Sequence, residues 1–158
     1  PPPPPPPPPF FFHAHPPTPD PLWSRGLGDV YKRQIISKDY IIDTREFSNV
    51  VIETAEVMSD NLLSNIIVLD VSKQSDYFNY FIIATGLTSQ HLESSGNTVT
   101  KHLKDLNIKI NHKEGISDGG WVLLDYPGLV VHLFLEDQRT NYDLETLWSD
   151  SSEILNIL

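Results

Sequence analysis

The sequence predicts an α/β fold: a single domain with a mixed five-stranded sheet flanked by helices. Three observations lead there. Two apolar runs, Trp121–Tyr126 and Leu129–Leu135, flank Pro127-Gly128. Pro127 presets its φ for the second position of a turn, and Gly128 accepts the positive φ that a type II turn needs next. This reads as a β-hairpin, and strands so continuously apolar sit in the middle of a sheet covered on both faces. Second, a strand–helix–strand succession from Asn79 to His112 implies a parallel pair with a right-handed crossover. The hairpin is antiparallel, so the sheet is mixed. Third, two segments place apolar residues at helical spacing and supply the covering layers.

In chain order, Asp43-Thr44-Arg45-Glu46 has capping-box spacing, with Asp43 as N-cap and Glu46 at the third helical position. Phe47, Val50, Val51, Ala55 and Met58 then fall on one face, which predicts a helix from Thr44 to about Asn61. Asn65–Val71 is the first strand, Ser72–Phe78 a polar loop, and Asn79–Thr85 the second strand, ended by Gly86. Thr88 or Ser89 caps the next helix, whose Leu92, Gly96, Val99, Leu103 and Leu106 share a face up to Asn107. Gly96 costs roughly 1 kcal/mol against Ala in a helix interior, so it is expected to permit close packing on the sheet. Ile108–His112 reads as a third strand and Lys113–Gly120 as a loop before the hairpin. Asn141 is expected to cap a last helix, Tyr142–Trp148, and Ser149–Leu158 reads as a frayed helical tail. Asp125 is expected at a strand end and His132 in a satisfied core position. Trp121 and Tyr126 bracket one strand at odd spacing and so point to opposite faces. Core packing accounts for one, and the other is expected at the surface as an interface anchor.

Composition narrows the function. The chain has 158 residues, a length that suits one domain. Its head is unlike the rest: Pro1–Pro9 is a homopolymer, and Pro-rich sequence continues to Pro21. Ser24 to Gln34 resembles the translation of a transposon-type sequencing adapter. Residues 1–34 are therefore expected to be non-native and are set aside from fold reasoning. The domain is expected over residues 35–150, with 151–158 as a tail. Beyond residue 34, 8 Lys and Arg stand against 19 Asp and Glu, a net charge of −11. Such acidity disfavours direct contact with phosphate backbones and suits either a basic protein partner or merely solubility. The chain has no Cys, which leaves no disulfide, thiolate nucleophile or Cys-based metal site. No window approaches 18 apolar residues, so no membrane span is expected.

The candidate chemistry is thin. Gly86-Leu87-Thr88-Ser89 lies at a strand-to-helix turn, a geometry that can hold phosphate through backbone N–H groups. It lacks the glycine density and the following Lys of a P-loop, and a plain helix cap explains it better. His91, His102, His112 and His132 show no i, i+4 pair, and His132 sits between apolar neighbours in a strand. No nucleophile elbow is present.

Several pieces of the chain together carry a resemblance. Trp121-Val-Leu-Leu-Asp125-Tyr126 and Val130-Val131-His132-Leu-Phe134 look like the signature of the ribosomal silencing factor, or Iojap, family. Val68–Val71, Tyr80–Gly86, Ser89-Gln90-His91, Glu114-Gly115 and Tyr142–Trp148 agree in order and spacing, so the likeness covers roughly Ile41 to Trp148. It implies a fold related to nucleotidyltransferases. A transferase needs clustered carboxylates to hold divalent cations, whereas Asp125 has no second acid two residues on. Asp70 is the one acid that could approach it, across neighbouring strand ends. The resemblance implies a translation repressor without catalytic residues, cofactor or metal. Such a protein binds the large ribosomal subunit through ribosomal protein L-fourteen and blocks subunit joining sterically. It also implies a homodimer and a bacterial cytoplasmic setting, with an organellar origin left open. Trp121, Asp125 and Tyr126, supported by Tyr80, are the expected partner contacts. Family members usually carry Asp before the tyrosine; here Asn79 removes that acid. The rival readings are a metal-dependent nucleotidyltransferase-like enzyme and an acidic adaptor unrelated to ribosomes.

Overall fold

In a computed structural model, described for residues 44–158, the hairpin lies inside a six-stranded mixed sheet. The elements run α1 (Thr44–Asp60), β1 (Ser64–Asp70), β2 (Tyr80–Gly86), α2 (Ser89–Asp105), β3 (His112–Ile116), a 3₁₀ turn (Ser117–Gly119), β4 (Trp121–Tyr126), β5 (Leu129–Leu135), α3 (Glu136–Tyr142), α4 (Leu144–Leu147) and β6 (Ser152–Ile157). The spatial order is β3-β4-β5-β2-β1-β6. Only β2 and β5 form a parallel pair; the other neighbours are antiparallel. Both hairpin strands run where predicted, and Gly128 sits at φ 75° in the turn.

Alternation along the strands splits the core into two layers. On one face, Val51, Ala55 and Met58 of α1 and Leu92, Val99 and Leu103 of α2 bury Ile82, Leu124 and Val131 of the sheet. On the other, Leu144 and Trp148 cover Phe81, Trp121 and Phe134. Two 17-residue helices cover the first face, and helices of seven and four residues lie over the second.

Several expectations are corrected. The sheet has six strands rather than five, because the tail is β6 and not frayed helix. Ser152–Ile157 pairs antiparallel with β1, and Leu155 and Ile157 turn toward the core. The third strand begins at His112 rather than ending there. The run before it is held by Ile108, which is buried, and by Ile110 against the same core layer. The crossover from β2 through α2 does not deliver a neighbour of β2. It carries the chain past two strand positions to the sheet edge, so β5 becomes the parallel partner. The last helical segment starts directly after β5 at Glu136, with Glu136 and Asp137 favourably placed in its first turn. Asn141 lies inside α3. The break falls at Asp143, φ 45°, whose carboxylate accepts from Thr146 Oγ1 at 2.6 Å. A Cβ on Gly96 would meet only Leu133 Cδ1, at an ordinary 3.8 Å, so no close approach requires glycine there. The capping box at Asp43 lies outside the described residues.

Candidate functional site

The hairpin carries three of the four expected contact residues, and its two aromatic residues do point to opposite faces. Both are nevertheless buried, which overturns the expectation that one lies at the surface: Trp121 is 4% exposed and Tyr126 0%. Tyr126 belongs to the layer under α2, where its hydroxyl donates to Thr100 Oγ1 at 3.3 Å. Burial raises its pKa above the ordinary phenol value, and the Thr100 bond partly offsets this. Tyr80 lies in the same layer against Phe47, ring centroids 5.9 Å apart. Trp121 and Asp125 occupy the opposite face, by strand alternation. The sheet therefore separates the four expected contact residues into two pairs.

On the second face, side chains from five segments form an aromatic floor. Trp121 lies 4.8 Å from Phe134 and 4.7 Å from Tyr142, measured between ring centroids. Phe81 meets Trp148 edge-on at 4.8 Å and His132 at 5.1 Å. Such offset and edge-on pairs match the quadrupoles of the rings. The Trp121 indole N–H donates to His132 Nδ1 at 3.3 Å. Indole is only a donor, so Nδ1 is the acceptor and the imidazole hydrogen sits on Nε2. His132 is 0% exposed, and burial lowers its pKa from 6.5 to about 3. It is thus a neutral core histidine. Asp125 is also fully buried, one residue short of the end of β4.

Sequence reasoning missed how Tyr142 and Trp148 close over Trp121 and Phe81, because the contact joins segments distant in sequence. The available signal was the set of aromatics Phe81, Trp121 and Phe134, one on each of three apolar strands. Arg139 was also missed. Its Nε donates to Glu145 at 2.7 Å and its Nη1 to Thr85 Oγ1 at 2.8 Å and to the Asn65 carbonyl, clamping α3 and α4 to β1 and β2.

The acids do not assemble for transferase chemistry. Asp70 and Asp125 stand on β1 and β4, with β2 and β5 between them. Three strand spacings of about 4.8 Å put them on the order of 14 Å apart. Asp70 instead accepts from the Ser72 backbone N–H and hydroxyl. Among the described residues, no cluster of three or more His, Asp or Glu could hold a metal ion. The turn after β2 is a capped helix start. Thr88 Oγ1 accepts from the His91 backbone N–H at 3.0 Å, and His91 Nδ1 accepts from the Leu87 N–H at 3.0 Å. These bonds engage two of the N–H groups that a phosphate would use.

Comparison with known proteins assigns the family. A family model described as "Ribosomal silencing factor during starvation" matches residues 44–157. The chain belongs to the ribosomal silencing factor family. A silencing factor of Chromobacterium violaceum is 36% identical over 107 residues, covering 68% of this chain and 85% of the relative. The chloroplastic Iojap protein of Arabidopsis thaliana is 34% identical over 65% of this chain and 43% of its own length. A mouse protein named "Mitochondrial assembly of ribosomal large subunit protein 1" is 34% identical over 54% of this chain and 39% of its own. The fold agrees. A crystal structure from Chromobacterium violaceum superposes with a TM-score of 0.60 at 36% identity, covering 68% of this chain and 87% of that one. The family name denotes a regulatory factor of ribosomes. No helix among the described residues is long and apolar enough to cross a membrane.

Proposed function

We propose that this silencing factor represses translation by binding the large ribosomal subunit through ribosomal protein L-fourteen and sterically blocking subunit joining. Family membership is the observation that carries the reading. The mouse relative's name, which ties that protein to the large subunit, points the same way. In this reading, Trp121, Asp125, Tyr80 and Tyr126, all buried, hold the hairpin in shape from the two layers rather than touching the partner themselves. The net charge of −10 suits a basic ribosomal protein, whose field would steer encounter. Exclusion of a second subunit requires no bond-making step, so no cofactor enters the mechanism. We place the protein in the bacterial cytoplasm or an organelle derived from it, and propose a homodimer when it is off the ribosome. Analytical ultracentrifugation should then show concentration-dependent association, which a strict monomer at high micromolar concentration would contradict.

Co-sedimentation tests the reading. The chain should pellet with purified large subunits, and less so as salt rises. Failure to pellet at low salt would defeat it.

A further inference from the structure

We propose that Leu62 and Leu87 form a second docking tip, which takes a basic, apolar-bearing segment of a large-subunit ribosomal protein. The two leucines are 76% and 78% exposed, although they sit on short turns beside a fully packed core. Leu62 also holds φ at 66°. That left-handed conformation closes α1, with the Leu63 N–H donating to the Met58 carbonyl at 3.2 Å, but glycine or asparagine would fill the position with less strain than an exposed leucine. A strained, exposed apolar residue is the kind of feature that function retains.

The two turns are tied together by one side chain. His91 Nδ1 accepts from the Leu87 N–H at 3.0 Å, and its Nε2 donates to the Asn61 carbonyl at 2.7 Å. A single imidazole therefore fixes the residue before Leu62 and the backbone of Leu87 at once. The leucines are presented as a pair on a rigid base.

The surroundings select the partner. Gly86 pairs with Leu135, so Leu87 emerges beside Glu136 at the sheet end. Asp60, Glu136 and Asp137 are exposed around the pair, and residues 59–65, 86–92 and 134–138 contain no Lys or Arg. Arg139, the next cation along, is engaged by Glu145, Thr85 and Asn65. An apolar pair in an acidic rim fits a basic protein segment and repels an RNA backbone. The tip also lies at the same end of the sheet as Trp121, since Trp121 and Thr85 both pair with Phe134.

This inference rests on the large-subunit reading above, and the test separates the two. The unaltered 158-residue chain, a Leu62→Gly/Leu87→Ser double variant and a single Leu87→Lys variant are titrated against purified large subunits and against rRNA extracted from them. The tip predicts at least a tenfold rise in Kd for the double variant and a clear rise for Leu87→Lys. Circular dichroism should stay unchanged, the melting midpoint should not fall and should rise for the double variant as Leu62→Gly relieves the strain, and none of the proteins should bind the naked rRNA. Equal binding by wild type and both variants would overturn the tip while leaving the large-subunit reading intact. Should wild type itself not bind, both fall. Tip-dependent binding to naked rRNA would overturn the protein partner. If the double variant loses its fold, Leu87→Lys alone decides, because its position lies outside the core.

Discussion

Removing the titratable group at His132 should flatten much of the protein's loss of stability in mild acid. His132 is fully buried, and burial lowers its pKa from 6.5 to about 3. The Trp121 indole donates to Nδ1, so a proton arriving there would face another N–H. The sign follows from linkage. The folded pKa lies below the unfolded one, so the contribution is fully present above pH 6.5 and is lost as pH falls from there toward 3. Between those limits the unfolded chain binds a proton that the native chain refuses. Each pH unit is worth about 1.4 kcal/mol. At pH 5, about 1.5 units below the ordinary histidine value, the loss is about 2 kcal/mol. Urea unfolding at pH 8 and pH 5, followed by tryptophan fluorescence, measures it. His132→Leu leaves the Trp121 N–H without this acceptor, so the variant is less stable at both values. The quantity of interest is the difference between them: wild type should lose about 2 kcal/mol more than the variant from pH 8 to pH 5. Equal losses would refute the account of a neutral histidine held in the core.

The remaining predictions concern four other positions. Tyr126→Phe removes one 3.3 Å hydrogen bond and should cost about 1 kcal/mol. Tyr126→Ala empties a core site and should cost roughly 3–5 kcal/mol by the same urea measurement. Gly96→Ala should stabilise by about 0.4–1 kcal/mol, since the added methyl finds only ordinary contact. Gly115→Ala should destabilise instead, because φ is 78° and the new Cβ would lie 2.2 Å from the Trp121 carbonyl oxygen. Arg139→Ala strips Glu145, Thr85 and the Asn65 carbonyl of their shared partner and should cost on the order of 3 kcal/mol.

What was legible in the sequence was local. Pro127-Gly128 set the hairpin and its turn, and the spacing of Val51, Ala55 and Met58 announced the helix over β1 and β2. The misses came from long-range choices that periodicity does not encode. Nothing in Asn79–His112 tells the chain that two strands will come between β2 and β3. Ser152–Ile157 becomes a strand because β1 offers a free edge, which overrides its weak local pattern. The faces of Trp121 and Tyr126 followed from alternation, but their burial depended on Thr100, Tyr142 and Trp148, which lie far away in sequence. The Arg139 clamp was invisible for the same reason: its three partners sit on three separate elements.

The central claim is steric exclusion on the large subunit, and a subunit-joining assay tests it most directly. Purified large subunits are incubated with the chain, small subunits are added, and the joined fraction is read on a sucrose gradient. The account predicts a dose-dependent fall in joined ribosomes, with the chain in the large-subunit peak and no need for added ATP. The same amount of chain added after joining should have little effect. An undiminished joined fraction, or a fall that appears only with ATP, would contradict it.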